Sequence, residues 1–186
     1  KKMAIRVGIN GFGRIGRTVF RIISQNPDRF ELCGINLRNL NMEYMAYTAL
    51  YDSVHGHFPG TIEAGNQHLI VGKPVRIFSE SDPANIEWSS CGAEYIIEST
   101  GAFNTTAASS AHMKGGAKKI IITAPAKDEV TPTFVFGVNH EEYDPASAVI
   151  SAASCTTNCL APLAKVVNDR FGIERGLMST IHSATA

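Results

Sequence analysis

The stretch Ala4-Ile-Arg-Val-Gly-Ile-Asn-Gly-Phe-Gly-Arg-Ile-Gly16 decides the fold. Its first half, Ala4 to Asn10, is short and rich in β-branched residues, which predicts a strand. Its second half is a G-x-G-x-x-G turn built on Gly11, Gly13 and Gly16, with Phe12, Arg14 and Ile15 between them. Beyond it, apolar residues at Ile15, Val19, Ile22 and Ile23 recur at helical spacing until Asn26-Pro27 breaks the pattern. A second apolar run, Phe30 to Ile35, completes a βαβ unit. Each glycine has its own duty in such a turn. The first permits the tight bend, the second lets a pyrophosphate approach the backbone, and the third lets helix and strand pack closely. The helix N-terminus then faces the phosphates. A glycine-rich turn with no ligand has the same pattern, but its place between strand and helix favours dinucleotide binding.

An acid ordinarily closes the second strand of such a unit and accepts hydrogen bonds from the adenosine ribose of NAD. Here that strand ends Gly34-Ile-Asn-Leu-Arg-Asn39, so Asn36, Leu37 and Arg38 stand where a carboxylate is expected. Losing the carboxylate removes repulsion against a 2′-phosphate, and Arg38 is placed to pair with one. The residues lean toward NADP being accepted. They leave open the alternative, in which Arg38 points to solvent and NAD binds through the remaining contacts.

Downstream, Met42, Met45, Ala46 and Leu50 predict a helix over 41–51, followed by a turn-rich segment carrying His55 and His57. Those histidines read as loop hydrogen-bonders, and no metal-ligand spacing accompanies them. Runs at His68–Val71 and Val75–Ser79, split by Gly72-Lys-Pro74, predict a hairpin. Trp88 reads as a packing residue. Glu94 to Gly101 predicts a buried strand ending in Ser99, Thr100 and Gly101, at the edge where an open parallel sheet places its ligand. A helix over Thr105–Lys114 and a strand over Lys118–Pro125, containing Thr123, come next. Strands at Thr133–Val138 and Ala148–Ser151 are expected to complete the series. The fold class is therefore α/β: a doubly wound, mostly parallel Rossmann sheet forming one domain over 1–154.

Ser151-Ala-Ala-Ser-Cys-Thr-Thr-Asn-Cys159 follows, leading into a helical pattern from Leu160 to Phe171. Cys155 then lies at a helix N-terminus, where unpaired N–H groups and the macrodipole favour thiolate over thiol. Ser154, Thr156, Thr157 and Asn158 give it a polar shell. A capped helix with a structural thiol has the same signature, so Cys155 alone does not settle the matter. Gly176 to Ala186 predicts a strand carrying His182, and a strand without partners cannot fold by itself. The expectation is an α+β catalytic domain of which 155–186 is the beginning, cut short.

Lys plus Arg and Asp plus Glu each number 17 in 186 residues, so no basic surface for nucleic acid is implied. No apolar run is long enough to span a bilayer. The four cysteines are too sparse for a disulfide framework, which fits a cytoplasmic, reduced protein.

A thiol at a helix start, a histidine on a following strand and a nicotinamide cofactor together suggest oxidation of an aldehyde through a covalent thioester. At this point four stretches can be taken together: Asn10-Gly-Phe-Gly-Arg-Ile-Gly-Arg17, Tyr51-Asp-Ser-Val-His-Gly-His-Phe58, Ser154-Cys-Thr-Thr-Asn-Cys159 and Thr180-Ile-His-Ser183. They resemble the phosphorylating glyceraldehyde-3-phosphate dehydrogenase family over essentially the whole chain. The resemblance implies a glycolytic, homotetrameric enzyme acting on D-glyceraldehyde 3-phosphate and inorganic phosphate. It makes Cys155 the nucleophile and His182 the base, and puts Asn10, Gly11, Gly13, Arg14 and Ile15 at the pyrophosphate. It places Asn36, Ser99, Thr100, Gly101 and Thr123 around adenosine and nicotinamide, and Ser154, Thr156 and Thr185 at substrate or phosphate. Leu37 departs from the family, which usually has its ribose-binding Asp there. Two rivals stand beside this reading: the sister erythrose-4-phosphate dehydrogenase, and a cofactor-binding chain without turnover.

Overall fold

In the computed structural model, which describes residues 3–39 and 41–183, β1 (Ile5–Asn10) is flanked by two parallel neighbours. One is β2 (Phe30–Asn36), reached through α1 (Arg14–Ser24). After α2 (Met42–Leu50), the short pair β3 (Tyr51–Asp52) and β4 (Gly56–His57) forms a separate hairpin. The strands β5 (Glu63–Ala64), β6 (His68–Val71) and β7 (Lys73–Phe78) then extend the sheet on the β2 side. On the other side of β1 lie β8 (Tyr95–Glu98), β9 (Lys119–Ile122) and β10 (Val149–Ser151). The short helices α3 (Trp88–Cys91) and α4 (Thr106–Ser109) connect them, the latter running on as a 3-10 turn to Gly115. The order is β10-β9-β8-β1-β2-β7-β6-β5; from β10 to β7 every neighbour is parallel, and only β6 and β5 are antiparallel. This is the doubly wound, mostly parallel sheet that the glycine turn predicts, and its direction of winding reverses at β1.

Each face of the sheet has its own apolar core. Val7, Ile9, Phe20, Ile35, Met45 and Leu69 pack on one face. Ile86, Trp88, Ile96, Ile120, Ile122 and Val149 pack on the other. Burial on both faces explains why β8 and β9 are near-continuous apolar runs rather than alternating ones. Gly8 is a close approach: a Cβ there would lie 2.6 Å from the Trp88 ring.

The helix read from Ile15, Val19, Ile22 and Ile23 forms as α1; Ile23 is buried and Val19 packs against the core, whereas Ile15 and Ile22 are 49% and 53% exposed and Gly16, Phe20 and Arg21 take the remaining inward positions. Arg21 takes an inward position because its Nη2 donates to the carbonyls of Ala49, Leu50 and Gly56, at 3.1, 3.1 and 2.9 Å. The Ala49 and Leu50 carbonyls end α2 and that of Gly56 opens β4, and a buried guanidinium satisfies groups that a helix terminus leaves unpaired. Two expectations need correction. Thr133–Val138 is not a strand. Thr133 makes one parallel bridge to Ser151, and then Val138 N–H closes a turn on the Val135 carbonyl, with Gly137 at φ +82°. Finally, no strand follows α5 (Cys155–Phe171) among the described residues. Leu177 and Ile181 are fully exposed there, and no neighbouring strand accepts the segment's backbone groups.

Candidate active site

The carboxyl ends of β1, β2 and β8 lie side by side, with Asn10 in register with both Asn36 and Glu98. Above them opens a cleft of about 310 Å³, at the point where the sheet reverses its winding. Asn10, Gly11, Phe12 and Gly13 line it from the glycine turn, Asn36, Leu37 and Arg38 from the end of β2, and Ser99 and Thr100 from the end of β8. Gly11 has φ +93°, and a Cβ there would lie 2.8 Å from the Thr100 nitrogen. At Gly16 a Cβ would meet the Gly11 carbonyl at 2.1 Å, so this glycine is required for α1 to start so close to the turn. Gly13 is different: a Cβ there would meet nothing within 4 Å. Its freedom is toward the open side, where a ligand's phosphates would approach.

The start of α1 fits an anion. Gly13 caps it without any side-chain hydrogen bond, and the first turn contains no acidic residue. The first N–H groups therefore keep their positive end of the helix dipole uncompensated. These features fit a dinucleotide pyrophosphate.

Several expected cofactor contacts lie apart from the cleft lining. Arg14, Ile15 and Gly16 form the first turn of α1 and are not in the lining; Gly101 and Thr123 also fall outside it. The Thr123 hydroxyl donates to the Glu98 carbonyl at 3.1 Å and so ties β9 to β8. The Asn36 side chain is likewise engaged, donating to Asn10 Oδ1 (2.7 Å) and the Glu80 carbonyl (2.9 Å) and accepting from the Glu80 N–H (2.8 Å). The sequence reading missed Asn39, Glu80, Ser81, Ala102 and Phe103, which also line the cleft. Ala102 and Phe103 simply continue the Ser99-Thr-Gly101 loop and were within reach of that reading. Glu80 was not, because nothing in the linear order says that β7 pairs with β2.

The second locus is the start of α5. The chain leaves β10 at Ser151 and turns through Ala153, a buried non-glycine residue at φ +61°. The Ser151 hydroxyl accepts from the Ala153 N–H at 3.0 Å and donates to the Ala124 carbonyl at 2.7 Å. Ser154 caps the helix, accepting from the Thr157 N–H at 2.9 Å, and Asn158 Nδ2 reaches back to the carbonyls of Ala152 and Ser154, both at 2.8 Å. Cys155 is thus the first helical residue.

Cys155 Sγ lies 3.1 Å from His182 Nε2. His182 Nδ1 lies 2.7 Å from the Ser183 carbonyl, which can only accept, so Nδ1 carries a proton and Nε2 faces the sulfur. The imidazole holds the Cys155 thiol below its ordinary range, with Thr156 adding in the same direction. The same contact, helped by the Ser183 carbonyl, raises His182 above its usual value. Both partners are exposed. A shallow hollow of about 430 Å³ beside them is lined by Cys155, Thr156, Cys159 and the 178–183 segment. Ser154 is spent on capping, and Thr185 lies outside the described residues. All four cysteines are free thiols.

A glycine cradle at the reversal point of a doubly wound sheet defines a dinucleotide-binding α/β protein, here with a thiol–imidazole pair on the helix that follows the sheet. Comparison with known proteins narrows that class. Residues 5–106 match the family described as glyceraldehyde 3-phosphate dehydrogenase, NAD binding domain, and residues 154–186 match the C-terminal domain of the same family. The chain belongs to the glyceraldehyde 3-phosphate dehydrogenase family. It is 57% identical over 185 residues to the glyceraldehyde-3-phosphate dehydrogenases of Podospora anserina and of Yarrowia lipolytica, covering 99% of this chain and 54% of each relative. It is 55% identical over 186 residues to glyceraldehyde-3-phosphate dehydrogenase 2 of Schizosaccharomyces pombe, covering 99% and 55%. The chain spans about half the length of the curated relatives it matches.

Proposed function

We propose that this chain provides the NAD-binding half and the nucleophile of a phosphorylating aldehyde dehydrogenase that acts on D-glyceraldehyde 3-phosphate in glycolysis. The observation that carries this reading is the 3.1 Å contact between Cys155 Sγ and His182 Nε2 at the start of a capped helix. NAD, when bound, supplies the hydride acceptor. Asn10, Gly11, Gly13, Ser99 and Thr100 would hold it in the cleft, with the start of α1 on its pyrophosphate.

The Cys155 thiol proton passes to His182 Nε2, and the thiolate adds to the aldehyde carbon. The carbon–sulfur bond forms as the carbonyl π bond breaks, and the imidazolium returns the proton to the oxygen, leaving a hydroxyl on that carbon. His182 Nε2 removes the hydroxyl proton as the carbon is oxidised, and the acyl group stays on Sγ as a thioester. Inorganic phosphate attacks the thioester, the carbon–sulfur bond breaks, and Sγ departs as the thiolate that the imidazole favours. Thr156 lines the hollow beside the sulfur, which supports a role in holding substrate or phosphate.

At the adenosine end, Leu37 packs against the core and Arg38 is exposed on the cleft wall, which supports acceptance of NADP as well as NAD. Glu80 on the same cleft opposes it, since a carboxylate there would repel a 2′-phosphate. The family points to a cytoplasmic homotetramer, and no described helix is long and apolar enough to cross a membrane. We place the boundary between cofactor and catalytic portions at Ser154–Cys155.

A second reading, cofactor binding without turnover by these residues alone, is favoured by one observation: α5 has no buried residue. One assay separates the readings. Reduced cofactor is followed after mixing chain and NAD with glyceraldehyde 3-phosphate or erythrose 4-phosphate, with and without inorganic phosphate. Phosphate-dependent turnover with the triose phosphate supports the leading reading. Phosphate-independent turnover with the tetrose phosphate supports the sister activity. Binding of NAD without any burst supports the binding-only reading.

A further inference from the structure

Beneath the cleft lies a hydrogen-bonded chain of polar groups centred on two buried side chains, Glu98 and His112, that the proposed chemistry does not use. Glu98 and His112 are completely buried and 3.0 Å apart, Oε2 to Nε2. The Trp88 indole N–H donates to His112 Nδ1 at 3.0 Å. An indole N–H can only donate, so Nδ1 accepts and the ring proton sits on Nε2, where it is donated to Glu98 Oε2. From the opposite end, the Glu80 N–H donates to Asn36 Oδ1, Asn36 Nδ2 donates to Asn10 Oδ1, and Asn10 Nδ2 donates to Glu98 Oε2 at 2.5 Å. On its other oxygen Glu98 accepts the Thr100 N–H at 2.8 Å and the Thr100 hydroxyl. Every proton in the chain is therefore assigned by donor-only groups at its ends. All of them run inward to one carboxylate that accepts from four donors.

These donors come from three elements, and two of them, Asn10 and Thr100, belong to residues that line the cleft from the neighbouring ends of β1 and β8. The Ser99 hydroxyl reinforces the link by reaching the carbonyls of Asn10 and Gly11 at 3.0 and 2.8 Å. Unpaired buried polar groups are costly, so a carboxylate with every lone pair engaged holds its neighbours to one arrangement.

We infer that Glu98 is a positioning residue: its buried carboxylate latches the Asn10–Gly11 turn to the Thr100 loop and fixes how these two lining segments of the cofactor cleft sit against each other. A glutamine at this position presents N–H groups to the Asn10 amide and the His112 ring, donor against donor, and releases one side of the latch. This role rests on the cleft being the NAD site, and the test keeps the two apart.

The chain has one tryptophan, so its indole N–H gives one cross-peak in a proton–nitrogen correlation spectrum. In the NAD-free chain, Thr100→Val removes one donor to Glu98 and is expected to move the Trp88 cross-peak through the connected network. Ser81→Ala, on the cleft wall outside the network, should leave the peak in place. By calorimetry, Glu98→Gln is expected to weaken NAD binding at least tenfold. A stationary peak in Thr100→Val, or a Glu98→Gln affinity within twofold of the unmodified chain, overturns the latch. If Glu98→Gln fails to fold, Thr100→Val alone decides through its peak. An unmodified chain that does not bind NAD overturns the cofactor reading of the cleft and, with it, the positioning role.

Discussion

The cofactor cleft and the Cys155–His182 pair lie in one chain but are built on opposite principles. Under the cleft, Asn10, Asn36, Glu98 and His112 are buried and hydrogen-bonded to one another, so its walls are held from within. At the start of α5 the local turn is equally well tied, through Ser151, Ser154 and Asn158. The imidazole, however, reaches the sulfur from an exposed, irregular segment and is held by one contact to it. The comparison teaches that binding geometry here is a property of the sheet. The proposed reactivity rests on a pair whose partners lie 27 residues apart and are not buried.

The largest effect that could break this contrast concerns reactivity itself. Iodoacetamide at neutral pH should label Cys155 before Cys33, Cys91 or Cys159. Cys155→Ser should abolish the fast phase in peptide-resolved mass spectrometry. Equal rates at the four thiols would mean that the helix start and imidazole do not activate Cys155.

Next comes the cleft. Gly16→Ala drives a methyl into the Gly11 carbonyl and should cost about 1–3 kcal/mol in urea unfolding, as overpacking does. Gly13→Ala, which meets open space, should change stability little yet weaken NAD binding. A reversal of that pattern would mean that Gly13, not Gly16, is the structural glycine.

His182→Asn should slow Cys155 alkylation roughly tenfold at pH 7, because thiolate population follows the thiol's pKa. The sign is fixed by the direction of the shift. The imidazole lowers the thiol pKa, so alkylation persists to lower pH than for an ordinary thiol and falls as pH drops through that depressed value. In His182→Asn the rate–pH midpoint should move upward.

Smaller effects test the turn. Ser154→Ala removes the cap of α5 and should cost about 1 kcal/mol. Ala153→Gly relieves a left-handed residue and should add a few tenths of a kcal/mol at about the level such sites allow, read by the same urea unfolding. A loss of stability instead would show that the Ala153 methyl packs more favourably than its backbone is strained.

Much of this was legible in the chain. Gly11, Gly13 and Gly16 between a β-branched run and a helix could be placed at once, since local backbone needs write themselves into local residues. The capped helix opening at Cys155 was legible from Ser154 and the polar residues after it for the same reason. What was not legible depended on distant partners. Arg21 reads as a surface residue until the carbonyls of Ala49, Leu50 and Gly56 come within reach of it. Thr133–Val138 has strand-like residues, yet Gly137 and the Asn139 side chain, which accepts from the Val135 N–H, turn it aside. The 176–183 segment has strand-like residues too, but a strand is formed by its neighbours as much as by itself.

The first βαβ unit, its glycine turn after β1 and the residue that starts α5 are written in the linear chain, because each rests on contacts within a few positions. Only the tertiary structure decided that Glu80 faces the cleft, and that Asn10, Asn36 and Glu98 stand in register across three strands. It also decided that four donors converge on one buried carboxylate. Sheet register brings together residues as many as 88 positions apart, as with Asn10 and Glu98, and no local pattern records which strand will lie beside which.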